Sequence, residues 1–232
     1  MPGCFKRGWL GLASLLSLAS CLLLGAGLAA PRWLRARILC QTGVDLVNAS
    51  DPELVKFLGA LRYGLFRGCK VRQCGLGGRH SRFSLFPHMV KQLNTGLHVM
   101  IIIFLFVAMA LALVSMGFAI LNMIKVPYRA INGPAGICLW NVLAGSVVTL
   151  AIGSFMAAVK FHNLTDRIAN FQEKIFQFVV VEEQYEESFW ICVASATAHA
   201  ANLLVIAISQ IPLPEIKTKI EETTVTAEDI LY

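Results

Sequence analysis

QLNTGLHVMIIIFLFVAMALALVSMGFAILNMI, residues 92–124, holds no charged side chain between Lys91 and Lys125. A helix rises 1.5 Å per residue, so roughly 20 such residues cross a 30 Å hydrocarbon core. Working outward, three more runs are uncharged: 8–31 between Arg7 and Arg32, 130–159 between Arg129 and Lys160, and 188–214 between Glu187 and Glu215. Charge inside a bilayer is costly, so each run reads as a span. The expectation is a mainly α membrane protein: a four-helix transmembrane bundle with spans over 9–30, 97–123, 135–159 and 188–211. The remaining segments are a short N-terminus (1–8), a large first loop (31–96), a short middle loop (124–134), a second large loop (160–187) and a tail (212–232).

Composition agrees. The chain is 56% hydrophobic and 15% charged, against about 25% charged in a soluble domain. The net charge of +6 sits beside apolar spans with no nucleic-acid motif, so the cations point to lipid headgroups and loop surface rather than nucleic acid. Lys6 and Arg7, an apolar run and Ala26-Gly27-Leu28-Ala29-Ala30 imitate a signal peptide. The apolar run exceeds the about 7–15 residues of a signal core, so this segment is expected to stay as a helix.

Two arguments about sidedness conflict. Residues 31–91 carry eleven Lys and Arg, which the positive-inside rule would keep in the cytosol. The rule weakens for loops near about 60 residues. The loop also holds an Asn-Ala-Ser acceptor at Asn48 and clustered cysteines, which suit the oxidising side. Both large loops are therefore expected outside, with both ends of the chain in the cytosol.

Within the first loop, 37–47 reads as strand-prone. Asp51-Pro52 opens a helix whose apolar face is Leu54, Phe57, Leu58 and Leu61. Gly75-Leu76-Gly77-Gly78 is a turn, and 82–86 returns as a strand. Cys40, Cys69 and Cys74 permit three single pairings with one thiol left over. Phe161, Leu164, Ile168, Phe171, Ile175 and Phe178 recur at intervals of 3 and 4, predicting that the third helix extends beyond the bilayer and lays this stripe on the first loop. Asn163-Leu164-Thr165 is a second glycosylation pattern, expected to go unused because it lies near the membrane inside that helix.

Small residues at every fourth position let helices approach closely in lipid. Such rows are Ala13, Ser17, Cys21 and Gly25; Gly145, Thr149, Gly153 and Ala157; and Cys192, Ala196 and Ala200. They are read as packing within the bundle, with a homo-oligomer as the alternative. His199 and Asn202 share a helix face and read as interhelical hydrogen bonds rather than a metal site or proton relay. No phosphate-cradling loop, zinc cluster or nucleophile–base set is visible, so neither cofactor nor metal nor enzymatic activity is expected. The tail ends Ile230-Leu231-Tyr232, where Ile230 and Tyr232 could dock a free carboxylate in a PDZ-type scaffold.

Trp33, then Gly64-Leu65-Phe66, then Cys69 and Cys74 resembles the claudin-like tetraspan signature. Phe66 stands where that group has Trp, and the two cysteines are closer together. A fuller resemblance is to the clarin family. It rests on Leu39-Cys40-Gln41-Thr42-Gly43, Leu46-Val47-Asn48-Ala49-Ser50, Tyr63-Gly64-Leu65-Phe66, Val71-Arg72-Gln73-Cys74-Gly75-Leu76-Gly77, Ser188-Phe189-Trp190 and the Tyr-ending tail. It spans essentially the whole chain. The resemblance implies a Cys40–Cys74 pair and an outer module built around Trp33, Gly64, Leu65 and Phe66. It further implies a plasma-membrane protein of sensory hair cells that maintains stereocilia and hearing. The expected function is a non-enzymatic membrane organiser contacting lipid and other membrane or stereociliary proteins; the alternative is an auxiliary subunit of an ion channel.

Overall fold

A computed structural model of the chain describes residues 4–47, 51–86, 95–124 and 133–211. Asn48, the middle loop over 125–132 and the tail with Ile230 and Tyr232 lie outside them. Four helices are long and apolar enough to cross a membrane: α1 (Cys4–Ala29), α3 (Thr95–Ile124), α4 (Pro134–Lys160) and α6 (Glu187–Ser209). The shortest, α6, is 23 residues, about 35 Å of helix. They pack in a ring, α1–α3–α4–α6, each against two neighbours. Pro134 occupies the first turn of α4, where its missing N–H is not needed.

On one end of the bundle sits a five-stranded antiparallel sheet of order β4-β3-β2-β1-β5. Its strands are β1 (Leu34–Cys40), β2 (Leu58–Tyr63), β3 (Arg67–Gln73), β4 (Gly78–Ser84) and β5 (Phe178–Tyr185). Strand β1 alternates, with Leu34, Ala36, Ile38 and Cys40 buried and Arg35 and Arg37 exposed. A short helix α2 (Gln41–Val47) and a 3-10 turn over Asp51–Phe57 join β1 to β2.

Three local expectations are corrected. Residues 41–47 turn helical rather than prolonging β1. The apolar face that began a helix at Leu54 changes period at Leu58, because β2 is claimed by partners on both sides, β1 and β3. The third helix does not extend outward. It ends at Lys160, Asn163 adopts φ 47°, and only a short α5 (Leu164–Ala169) follows. Of the apolar stripe, Leu164, Ile168 and Phe178 are buried, whereas Phe161 and Ile175 are 82% and 78% exposed. Residues 178–185 pair with β1 from Leu34↔Tyr185 to Cys40↔Phe178. A Val-rich segment gains a ladder of backbone hydrogen bonds there, broken once by a register shift between Arg37 and Ile38. The sheet thus unites both large loops.

Candidate functional site

The joint between sheet and bundle is built around Trp33. Its ring is fully buried, 4.8 Å from Phe155 and 6.5 Å from Phe189, centroid to centroid. Its indole N–H donates to the Gly27 carbonyl at 2.7 Å. That carbonyl belongs to the last turn of α1, whose final four C=O groups have no partner within the helix. At Gly27, α1 packs closely against α6: a Cβ there would lie 2.7 Å from the Cys192 sulfur. Trp33 therefore ties the sheet to a close contact between α1 and α6.

The Gly64-Leu65-Phe66 turn secures the other side. A Cβ on Gly64 would fall 2.7 Å from both the Ala30 carbonyl oxygen and Pro31 Cα. Backbone cannot yield as a side-chain tip can, so Gly64→Ala is expected to cost about 1–3 kcal/mol. Thermal unfolding of the variant checks this; an unchanged midpoint would refute the close fit. Leu65 is fully buried, and its carbonyl accepts from His98 Nε2 at 2.7 Å, anchoring α3. The Phe66 ring lies 6.0 Å from Phe86 in a tilted arrangement, and Phe86 lies 5.9 Å from His98.

Cys40 and Cys74 are disulfide-bonded, with Cα atoms 5.4 Å apart. Cys69 is a free, exposed thiol. The inner face of the sheet is held by polar contacts to the second loop. Lys70 Nζ donates to the Ala169 carbonyl at 2.8 Å and pairs with Glu173 at 2.7 Å, both side chains over 90% buried. Tyr63 and Thr165 hydroxyls meet at 3.0 Å. Burial pushes the Tyr63 phenol well above its ordinary pKa, so it stays protonated and the bond persists at physiological pH. Thr165 is fully buried.

Beneath the joint, a polar network threads the bundle and touches all four spans. His199 Nδ1 donates to Asn141 Oδ1 at 3.0 Å, which leaves Nε2 to accept from Ser20 Oγ at 2.7 Å. Ser20 meets Ser195 at 2.6 Å. Asn141 Nδ2 donates to Ser115 Oγ at 2.6 Å and to the Ile137 carbonyl at 2.9 Å. Asn202 Nδ2 reaches the Ala13 carbonyl, Ser17 Oγ and Asn141 Oδ1 at 2.9–3.1 Å. Both imidazole nitrogens are thus engaged in interhelical bonds. No group of three potential metal-ligating side chains occurs among the described residues. Asn141→Leu would strand donors on α6 and a hydroxyl on α3. Membrane hydrogen bonds contribute about 0.6–2 kcal/mol each, so a loss of about 2–3 kcal/mol is expected, read as easier unfolding in detergent titration. An isosteric leucine as stable as Asn141 would show that the network does not hold the bundle.

The small-residue rows are placed differently from the expectation. In α1, Ala13 and Ser17 are buried, while Cys21 and Gly25 are half-buried. In α4, a Cβ on Gly145 would lie 3.4 Å from His199 Cβ, Ala157 is half-buried, and Thr149 and Gly153 are exposed. The buried stripe of α4 is instead Asn141, Ala144, Val148, Ala151 and Phe155. In α6, Cys192 is buried, Ala196 half-buried and Ala200 exposed; the inward face runs through Ser188, Ser195, His199 and Asn202. Spacing alone could not fix rotation, because large and small residues both serve as packing faces. Ser20, Ser115 and His98 escaped notice in the sequence, although Ser17 and Ser20 lie three apart on one helix face.

Four apolar helices in a ring, crowned by a disulfide-stapled sheet, define a multi-pass tetraspan membrane protein. A family model described as Clarin-2-like matches residues 5–206. The chain is 78% identical to Clarin-2 of Mus musculus and to Clarin-2 of Homo sapiens, and 38% identical to Clarin-1 of Homo sapiens, each over 232 residues covering the whole of both chains. The chain belongs to the clarin family.

Proposed function

We propose that this protein is a non-enzymatic membrane organiser at the plasma membrane and in the stereocilia of sensory hair cells, where it maintains the hair bundle required for hearing. The observation that carries this reading is the sheet built from both large loops, stapled by Cys40–Cys74 and locked to the bundle through Trp33. Such a rigid platform presents surface to neighbours; its edge strands, β4 and β5, are unpaired among the described residues, and an open edge accepts another chain's strand. The cellular setting is the one that the resemblance to clarins implies. The disulfide supports an extracellular module, and a glycan on Asn48 would accompany that placement. Its partners are lipid and other membrane or stereociliary proteins, with Ile230 and Tyr232 docking a PDZ-type scaffold tied to actin.

The test is rescue in hair cells lacking the endogenous protein. The unaltered protein should restore bundles, and its delivery to the surface without restoring them would count against an organiser. Altered transduction currents in otherwise intact bundles would favour an auxiliary channel subunit.

A further inference from the structure

The outward face of the sheet carries a rung of like charge. Gln184, Arg35, Arg62, Cys69 and Arg82 are successive direct partners across all five strands. Side chains directly opposite each other stand about 4.5–5.5 Å apart at Cβ, and like charges so placed are destabilising. Of the three arginines, Arg62 pairs with Glu186 at 2.9 Å. At its lower end this face opens into a cavity of about 580 Å³ bordered by Pro31, Arg32, Arg62, Arg67, Cys69 and Arg82. Arg32 pairs with Glu187 at 2.6 Å. Arg67 and Arg82 are exposed and have no carboxylate partner among the described residues. Unpaired cations gathered around a concavity are a cost that a bound anion removes.

Position decides which anion. Pro31 and Arg32 follow directly on the end of α1 at Ala29, and Glu187 is the first residue of α6. Arg67 opens β3, while Arg82 lies near the end of β4, where the chain turns back toward α3. The cavity therefore borders the ends of two apolar helices, the level at which the phosphates of an adjoining leaflet would stand. A guanidinium fork fits two phosphate oxygens at once. We propose that this cavity binds the phosphodiester of a phospholipid headgroup, with net-anionic headgroups preferred because Arg67 and Arg82 bring uncompensated charge. The bound lipid fixes the base of the sheet against the membrane surface.

Native mass spectrometry of the full chain in detergent, titrated with short-chain phosphatidylglycerol, phosphatidylcholine and inorganic phosphate, tests the site. Phosphatidylglycerol should bind most tightly and inorganic phosphate least. R67Q/R82Q should weaken phosphatidylglycerol about thirtyfold, the equivalent of about 1 kcal/mol per arginine. The charge-matched R35Q/R79Q, outside the cavity, should leave binding unchanged. Cys69→Phe, which narrows the cavity without altering charge, should weaken binding and covers the case in which R67Q/R82Q fails to fold. Equal weakening by both double variants would reduce the effect to diffuse charge and overturn the proposal. So would unaltered binding in R67Q/R82Q or Cys69→Phe, or displacement of phosphatidylglycerol by a heparin hexasaccharide at matching concentration, which would make the site one for a soluble polyanion.

Discussion

Trp33→Ala is expected to cost the fold about 3–5 kcal/mol, the range for emptying a fully buried Trp site. The ring fills the space between Phe155 of α4 and Phe189 of α6, so its loss opens a void at the joint rather than at a surface. The same change strips the Gly27 carbonyl of its indole donor, in a region where lipid offers no replacement. Trp33→Phe separates the two effects: it keeps most of the ring and should lose about 1–3 kcal/mol, the cost of leaving the buried Gly27 carbonyl without its donor. Thermal unfolding in a single detergent measures all three proteins. An alanine variant melting with the unaltered protein would show that the ring does not join sheet to bundle.

Cys74→Ser is the second large effect. The disulfide closes a loop with a sequence separation of 34, and the chain-entropy relation gives about 4 kcal/mol for that length. The stapled stretch contains all of β2 and β3, so loosening it frays the sheet from its centre. The variant is expected to be retained before the cell surface, as scored by surface biotinylation, with a lower melting point. Cys69→Ser is the matched control, since Cys69 is exposed and unbonded, and should reach the surface normally. Normal delivery and melting of Cys74→Ser would remove the staple from any role in stability.

The parts legible in the sequence were those whose signal is local. The four spans could be read because excluding charge from hydrocarbon acts residue by residue. Pro134 at the start of α4 could be read because it needs only its own φ. The apolar stripe from Phe161 to Phe178 misled for a related reason. Its 3 and 4 spacing is real, yet six positions cannot outweigh the backbone ladder that β1 offers to residues 178–185. The helical face ending at Leu61 failed likewise, since β2 is made a strand by neighbours on both sides. The small-residue rows gave spacing but no rotation, and Thr149 and Gly153 turned outward.

By itself, then, the sequence determined that this chain crosses a membrane four times and carries a polar, cysteine-bearing loop, because burial of charge in lipid is penalised wherever it occurs. Only the tertiary structure decided that β5 joins the loop sheet, that Gly27 sits at a close contact between α1 and α6, and that Ser20, Ser115, Asn141, His199 and Asn202 converge. Each of these rests on contacts between residues far apart in sequence, and a hydrogen bond or van der Waals contact has no energy until both partners are in place.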